Sequence, residues 1–164
     1  MCVRILGPSE YGIFAALYAI LTLCTALSHG VRMAFARMVA SQVAILGYVK
    51  FNPIDFAWPA FFGIIVMSMV FVFSHDILVF LGIVEPQYVI ALAINLPLVF
   101  VISIGMGVLQ GKEDFGKYSI MLLFQVFSRL FFIVTALLLN TGLDGILIAI
   151  FVSNIITIIG LIFI

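Results

Sequence analysis

A chain of 164 residues that is 66% hydrophobic and 9% charged lies far from the roughly 45–50% and 25% of soluble domains. A core of this size cannot hide so much apolar surface, so lipid must solvate much of it. Seven scattered basic residues balance seven acidic ones to zero net charge, which excludes a nucleic-acid footprint and hence a nucleic-acid partner. Cys2 and Cys24 lie far apart, one of them inside an apolar run, and imply neither a disulfide framework nor a metal cluster. No cleavable signal peptide is expected in these residues, because the first ten hold no apolar h-region. Its opening, Met-Cys-Val-Arg-Ile-Leu, looks like the tail of an earlier helix, and its end stops inside an apolar run. The chain is therefore expected to be a fragment.

The sequence is organised around Leu6-Gly7-Pro8-Ser9-Glu10-Tyr11-Gly12. Gly-Pro stops whatever precedes it, Ser9 or Glu10 can cap a new helix, and Tyr11 can anchor that helix at an interface. The first span runs over 11–43. A helix of that length is about 50 Å long, so it must tilt, project or break, and Gly30 is the place to break it. A polar connection over 44–55 leads to a second span, 56–81, in which Ser74-His75-Asp76 marks an interface before a short apolar extension. Gly82 and Glu85-Pro86 make the next turn. The third span, 88–109, holds Asn95 and Pro97. The loop at 110–117 contains Gly111-Lys112-Glu113-Asp114-Phe115-Gly116, which repeats the grammar of the first turn: Gly, two spacers, an acid, an aromatic, Gly. A fourth span over 118–139 and a fifth over 143–164 complete an all-α, polytopic membrane protein.

Two independent patterns support five spans. The single Trp, Trp58, and four of the five Tyr (Tyr11, Tyr48, Tyr88 and Tyr118) fall at boundaries, as an aromatic belt does. With five spans the loops 44–55 and 110–117 share one side of the membrane. That side gathers Lys50, Lys112, Lys117, Arg37 and Arg32, against Arg4 alone on the other. The positive-inside rule makes the Lys/Arg side cytoplasmic and puts residues 1–10 outside a cell membrane.

These residues carry a family resemblance. Arg4-Ile5-Leu6-Gly7-Pro8-Ser9-Glu10-Tyr11-Gly12, with His29-Gly30-Val31 and Arg37-Met38-Val39-Ala40, resembles the first two helices of the polysaccharide biosynthesis (oligosaccharide flippase) proteins. Val108-Leu109-Gln110-Gly111-Lys112-Glu113-Asp114-Phe115-Gly116 is similar to that family's turn between its fourth and fifth helices. The resemblance implies a transporter of the multidrug, oligosaccharidyl-lipid and polysaccharide exporter superfamily (MATE-like), with two six-helix lobes about a central cavity that opens alternately to either side. The five spans would be helices two to six of the first lobe. Their partners would be the missing first helix and the second lobe of the same protein.

Arg129 is the most informative position. Near the middle of the fourth span, a charge costs on the order of 2.5–3.5 kcal/mol, and such a residue usually faces a polar cavity or a partner. Gln125 lies one turn earlier on the same face, and Ser128 is adjacent. One reading is a cationic site for the phosphate of a lipid-linked sugar, held in a bidentate fork. The other is an Arg paired with a carboxylate or with backbone carbonyls between helices. The resemblance would put Arg32 beside the cavity and Arg37 near its cytoplasmic mouth; snorkelling to the interface is the plainer alternative for both. Asn95 joins Arg129, Gln125 and Arg32 as a cavity candidate, with Gly30 and Pro97 as hinges. Asn154 reads as an interhelical hydrogen bond of about 0.6 kcal/mol. Ser103, Gly107 and Gly111 form a small-xxx-small stripe that lets helix backbones approach.

No Ser-His-Asp set, ligand-spaced His pair or glycine-rich phosphate loop is found, so neither an enzyme nor a cofactor is expected. The expected function is translocation of a lipid-linked oligosaccharide or polysaccharide precursor, on a polyprenyl-phosphate type of carrier, across the cytoplasmic membrane by alternating access. A cation-coupled drug exporter would prefer an acid inside a span, and every acid lies at a boundary or in a loop. A non-transporting membrane scaffold beside a glycan synthase would not need to bear the cost of Arg129.

Overall fold

The computed structural model describes residues 8–46, 53–81, 86–139 and 141–163. Every described element is a helix: α1 (Pro8–Leu46), α2 (Pro53–Val72), α3 (Ser74–Leu81), α4 (Gln87–Gly111), α5 (Phe115–Leu138) and α6 (Gly142–Phe163). Four stretches are long and apolar enough to cross a membrane: Tyr11–Ile45, Gln87–Gly111, Phe115–Leu138 and Gly142–Phe163. In α2 the described apolar stretch, Phe61–Val72, is shorter. The protein is an all-helical membrane protein.

The second span divides at Phe73 into α2 and α3, at the Ser74-His75-Asp76 interface read from the sequence, and Asp76 in the first turn of α3 suits the positive end of a new helix. One expectation needs correction: of tilt, projection or a break in the first span, the break at Gly30 is absent, and α1 runs through it without interruption. One glycine costs a helix only about 1 kcal/mol relative to alanine, and α1 is held against α4 on both sides of Gly30, at Ser28 and at Arg32. The 39 residues of α1 make a rod of about 58 Å. Even at the steep end of the usual range of tilts, about 40°, roughly 30 Å of hydrocarbon takes up only about 40 Å of such a rod, so at least about a third of its length exceeds what one crossing needs.

Helix α4 is the hub and packs against every other helix. Ser28 meets Ser103, while Gly107 and Gly111 lie against the Arg32 and Ala36 carbonyls, so both helices run in the same direction. Asn95 meets Asn154, and Gly105 meets Leu161, so α6 is parallel to them as well. Arg129 bonds Asn154, while Met121 and Phe124 lie near Gly160, which makes α5 antiparallel. Consecutive helices α4, α5 and α6 thus alternate in direction, and the C-terminal half of α1 and the α4–α5 turn lie at the same end of the bundle.

That turn is tight. Gly111 ends α4 beneath the Ala36 carbonyl, Glu113 takes a left-handed φ of 58°, and the Asp114 carboxylate caps α5 by accepting from the Lys117 backbone N–H at 3.2 Å. A side-chain cap of this kind contributes about 1 kcal/mol. The first turn, from Leu6 to Gly12, lies largely outside the described residues, as do the side chains of Tyr48 and Trp58.

A larger apolar cluster joins Leu17, Leu21, Val89, Leu92, Leu96, Leu143, Ile146 and Ile150 towards one end of the bundle. A smaller one joins Ile102, Met106 and Met121 towards the other. Helix α5 buries little beyond Met121 and Ala136 and turns Phe127, Leu130 and Phe131 outward, as a helix bathed in lipid does. An alanine Cβ at Gly30 would meet nothing within 4 Å. Gly30→Ala is therefore expected to stabilise the protein by up to about 1 kcal/mol, read as a higher unfolding midpoint in detergent. A lower midpoint would mean that α1 needs the glycine's backbone freedom.

Candidate functional site

The polar residues of three helices converge between the two apolar clusters. On α1, Thr25, Ser28, His29 and Arg32 recur at three- and four-residue spacing and so share one face. Together with Val99, Ile102, Ser103 and Met106 of α4 and Leu122, Gln125 and Arg129 of α5, they line a cavity of about 150 Å³. The floor is stitched by a buried hydrogen bond from the Ser103 hydroxyl to the Ser28 hydroxyl, 2.8 Å long. The close approach of α1 to α4 at Gly107 sets where the Arg32 side chain leaves its helix.

Both arginines sit at this cavity without an acidic partner among the described residues. Arg32 Nη1 donates to the Tyr118 hydroxyl at 3.2 Å, and Arg129 Nη2 donates to Asn154 Oδ1 at 3.1 Å. Among the described residues the one ion pair joins Lys117 to Asp114 at the exposed turn. The Nε atoms of Arg32 and Arg129 are both buried with no hydrogen-bond partner among the described residues. Buried guanidinium donors left unsatisfied are costly unless something else fills the site. Arg129 lies fourteen residues, or about 21 Å, into α5, near the middle of that apolar helix.

Asn154 continues the chain of bonds from Arg129. Its Nδ2 donates to Asn95 Oδ1 at 3.1 Å, and Asn95 Nδ2 donates to the Ala91 carbonyl at 2.9 Å. Asn154 is fully buried and Asn95 nearly so. The bonds thus run from α5 through α6 to the backbone of α4.

The structure brings Arg129, Gln125 and Arg32 to one cavity. Asn95 is not in its lining. It lies behind Asn154 and borders instead an apolar groove between α4 and α6 with Ile94, Leu147, Ile148 and Phe151. Pro97 sits within an unbroken α4, against Gly63 of α2. Arg37 is exposed and faces a separate hollow with Gln110, Glu113 and Phe115. Ser128 buries its hydroxyl away from the cavity lining. His29, Thr25, Ser28 and Tyr118 were not expected at the site. The signal for the first three was the polar stripe ending at Arg32, while Tyr118 read only as an interface anchor.

Comparison of the chain with protein-family models, with curated proteins and with solved structures gives no match.

Proposed function

We propose that the chain forms the first lobe of a transporter that moves a lipid-linked oligosaccharide or polysaccharide precursor across the cytoplasmic membrane. The observation that carries this is the pair of arginines, Arg32 and Arg129, at one intramembrane cavity with no carboxylate paired to either among the described residues. Placing two uncompensated cations in lipid is costly. A ligand that brings negative charge into the cavity offsets that cost, and phosphate oxygens match the guanidinium fork. The serines, the threonine, Gln125 and His29 give a sugar headgroup hydrogen-bonding partners beside the phosphate. The resemblance of the two turns to the oligosaccharide flippase proteins points to the same substrate class. Movement of this lobe against a second one about the cavity would expose the headgroup to either side in turn.

A cation-coupled drug exporter needs an intramembrane acid, and the described carboxylates lie in turns or in first helical turns. The two functions separate on ligand charge. Farnesyl diphosphate, a short polyprenyl diphosphate, is expected to raise the unfolding midpoint of the detergent-purified protein. Farnesol and the lipophilic cation tetraphenylphosphonium are expected not to. Stabilisation by the cation but not by the diphosphate would overturn the proposal.

A further inference from the structure

We propose that Asn154, backed by Asn95, is a neutral positioning residue that holds Arg129 in place while leaving its positive charge for the ligand. The inference rests on the phosphate-binding function proposed above. The chemistry of the two ends dictates the direction of the bonds. A guanidinium only donates and a backbone carbonyl only accepts. With Arg129 at one end and the Ala91 carbonyl at the other, each asparagine must turn its oxygen towards Arg129 and its amide nitrogen away.

The two amide dipoles are therefore aligned, each with its negative end towards the cation. Hydrogen bonds in such a series polarise one another, and they do so more strongly where water is excluded. The arrangement stabilises a cation with dipoles alone. An aspartate at 154 would accept the same hydrogen bond from Arg129 but would cancel its charge, and the cavity would lose half of its uncompensated cations. A leucine would keep the branched shape and the number of side-chain heavy atoms, though with a larger volume, and release the guanidinium.

These substitutions separate position from charge. The chain has four arginines, Arg4, Arg32, Arg37 and Arg129, so the side-chain ¹⁵N resonances of Arg129 can be assigned in detergent micelles by their loss in Arg129→Lys. The expected result is slow rotation of the Arg129 Nη groups in the wild type and in Asn154→Asp, and fast rotation in Asn154→Leu. Farnesyl diphosphate is expected to bind both variants at least tenfold more weakly than the wild type at constant ionic strength.

An Arg129 signature unchanged by Asn154→Leu overturns the positioning role. Wild-type affinity in Asn154→Asp overturns the need for a neutral partner, and this holds even where the leucine variant fails to accumulate. If the wild type does not bind farnesyl diphosphate while Asn154→Leu still frees Arg129, the positioning role stands and the phosphate-binding proposal falls.

Discussion

Arg129→Ala is expected to abolish translocation of a lipid-linked oligosaccharide while the amount of protein in the membrane stays unchanged. Two effects on stability oppose each other. The substitution leaves Asn154 Oδ1 without its donor inside the bundle, and an interhelical hydrogen bond in a membrane is worth about 0.6 kcal/mol on average. It also removes a charge whose burial at mid-helix costs on the order of 2.5–3.5 kcal/mol, so the helix inserts at least as well as before. The effect on ligand is larger and of one sign. Truncating one partner of a buried charge pair costs about 2–5 kcal/mol, which is roughly 30- to several-thousand-fold in affinity. Arg129→Lys keeps the charge but loses the planar fork and should fall between. Translocation measured in cells carrying the variant, beside an immunoblot of the membrane fraction, checks both halves. Unchanged translocation would remove Arg129 from the mechanism.

Gly107→Leu is expected to act on the fold rather than on the ligand. A Cβ at this position would lie 2.6 Å from the Arg32 carbonyl oxygen and 2.9 Å from Phe35 Cβ. The nearest obstacle is a backbone carbonyl facing a Cβ whose place is fixed by its own backbone, a clash that no rotamer change relieves, so α1 must move away from α4. Overpacking of this kind costs typically 1–3 kcal/mol, occasionally more. It also opens the seam that places Arg32 and the Ser28–Ser103 bond at the cavity. The variant should unfold at a lower temperature in detergent and lose ligand-induced stabilisation. Gly12→Leu, where the added carbon meets nothing within 4 Å, is the control and should do neither. A Gly107→Leu protein as stable as the wild type would show that α1 and α4 are not tightly apposed there.

The Ser103-Gly107-Gly111 stripe was legible as a close helix contact, because small residues at four-residue spacing make a continuous groove. Its partner was not legible, since a groove on one helix says nothing about which other helix fills it. Arg129 announced itself through the cost of a charge in an apolar run. Asn154 read as an interhelical hydrogen bond without a named partner and Asn95 as a cavity candidate; that the two, 59 residues apart, bond to one another holds only once α4 and α6 pack in parallel. The length of the first span left tilt, projection or a break at Gly30 open, and packing on either side of that glycine keeps the helix whole.

The sequence by itself determined the solvent and the crossings: apolar runs of sufficient length must lie in lipid, and each backbone in lipid must close its own hydrogen bonds as a helix. It also determined where charge would be expensive. Only the tertiary structure decided that Arg32 and Arg129 share one cavity, that the amide series reaches Arg129 from behind, and that no described carboxylate pairs with either. The physical reason is one of range. Hydropathy and helix formation depend on residues a few positions apart, whereas the partner of a buried cation depends on which helix faces meet.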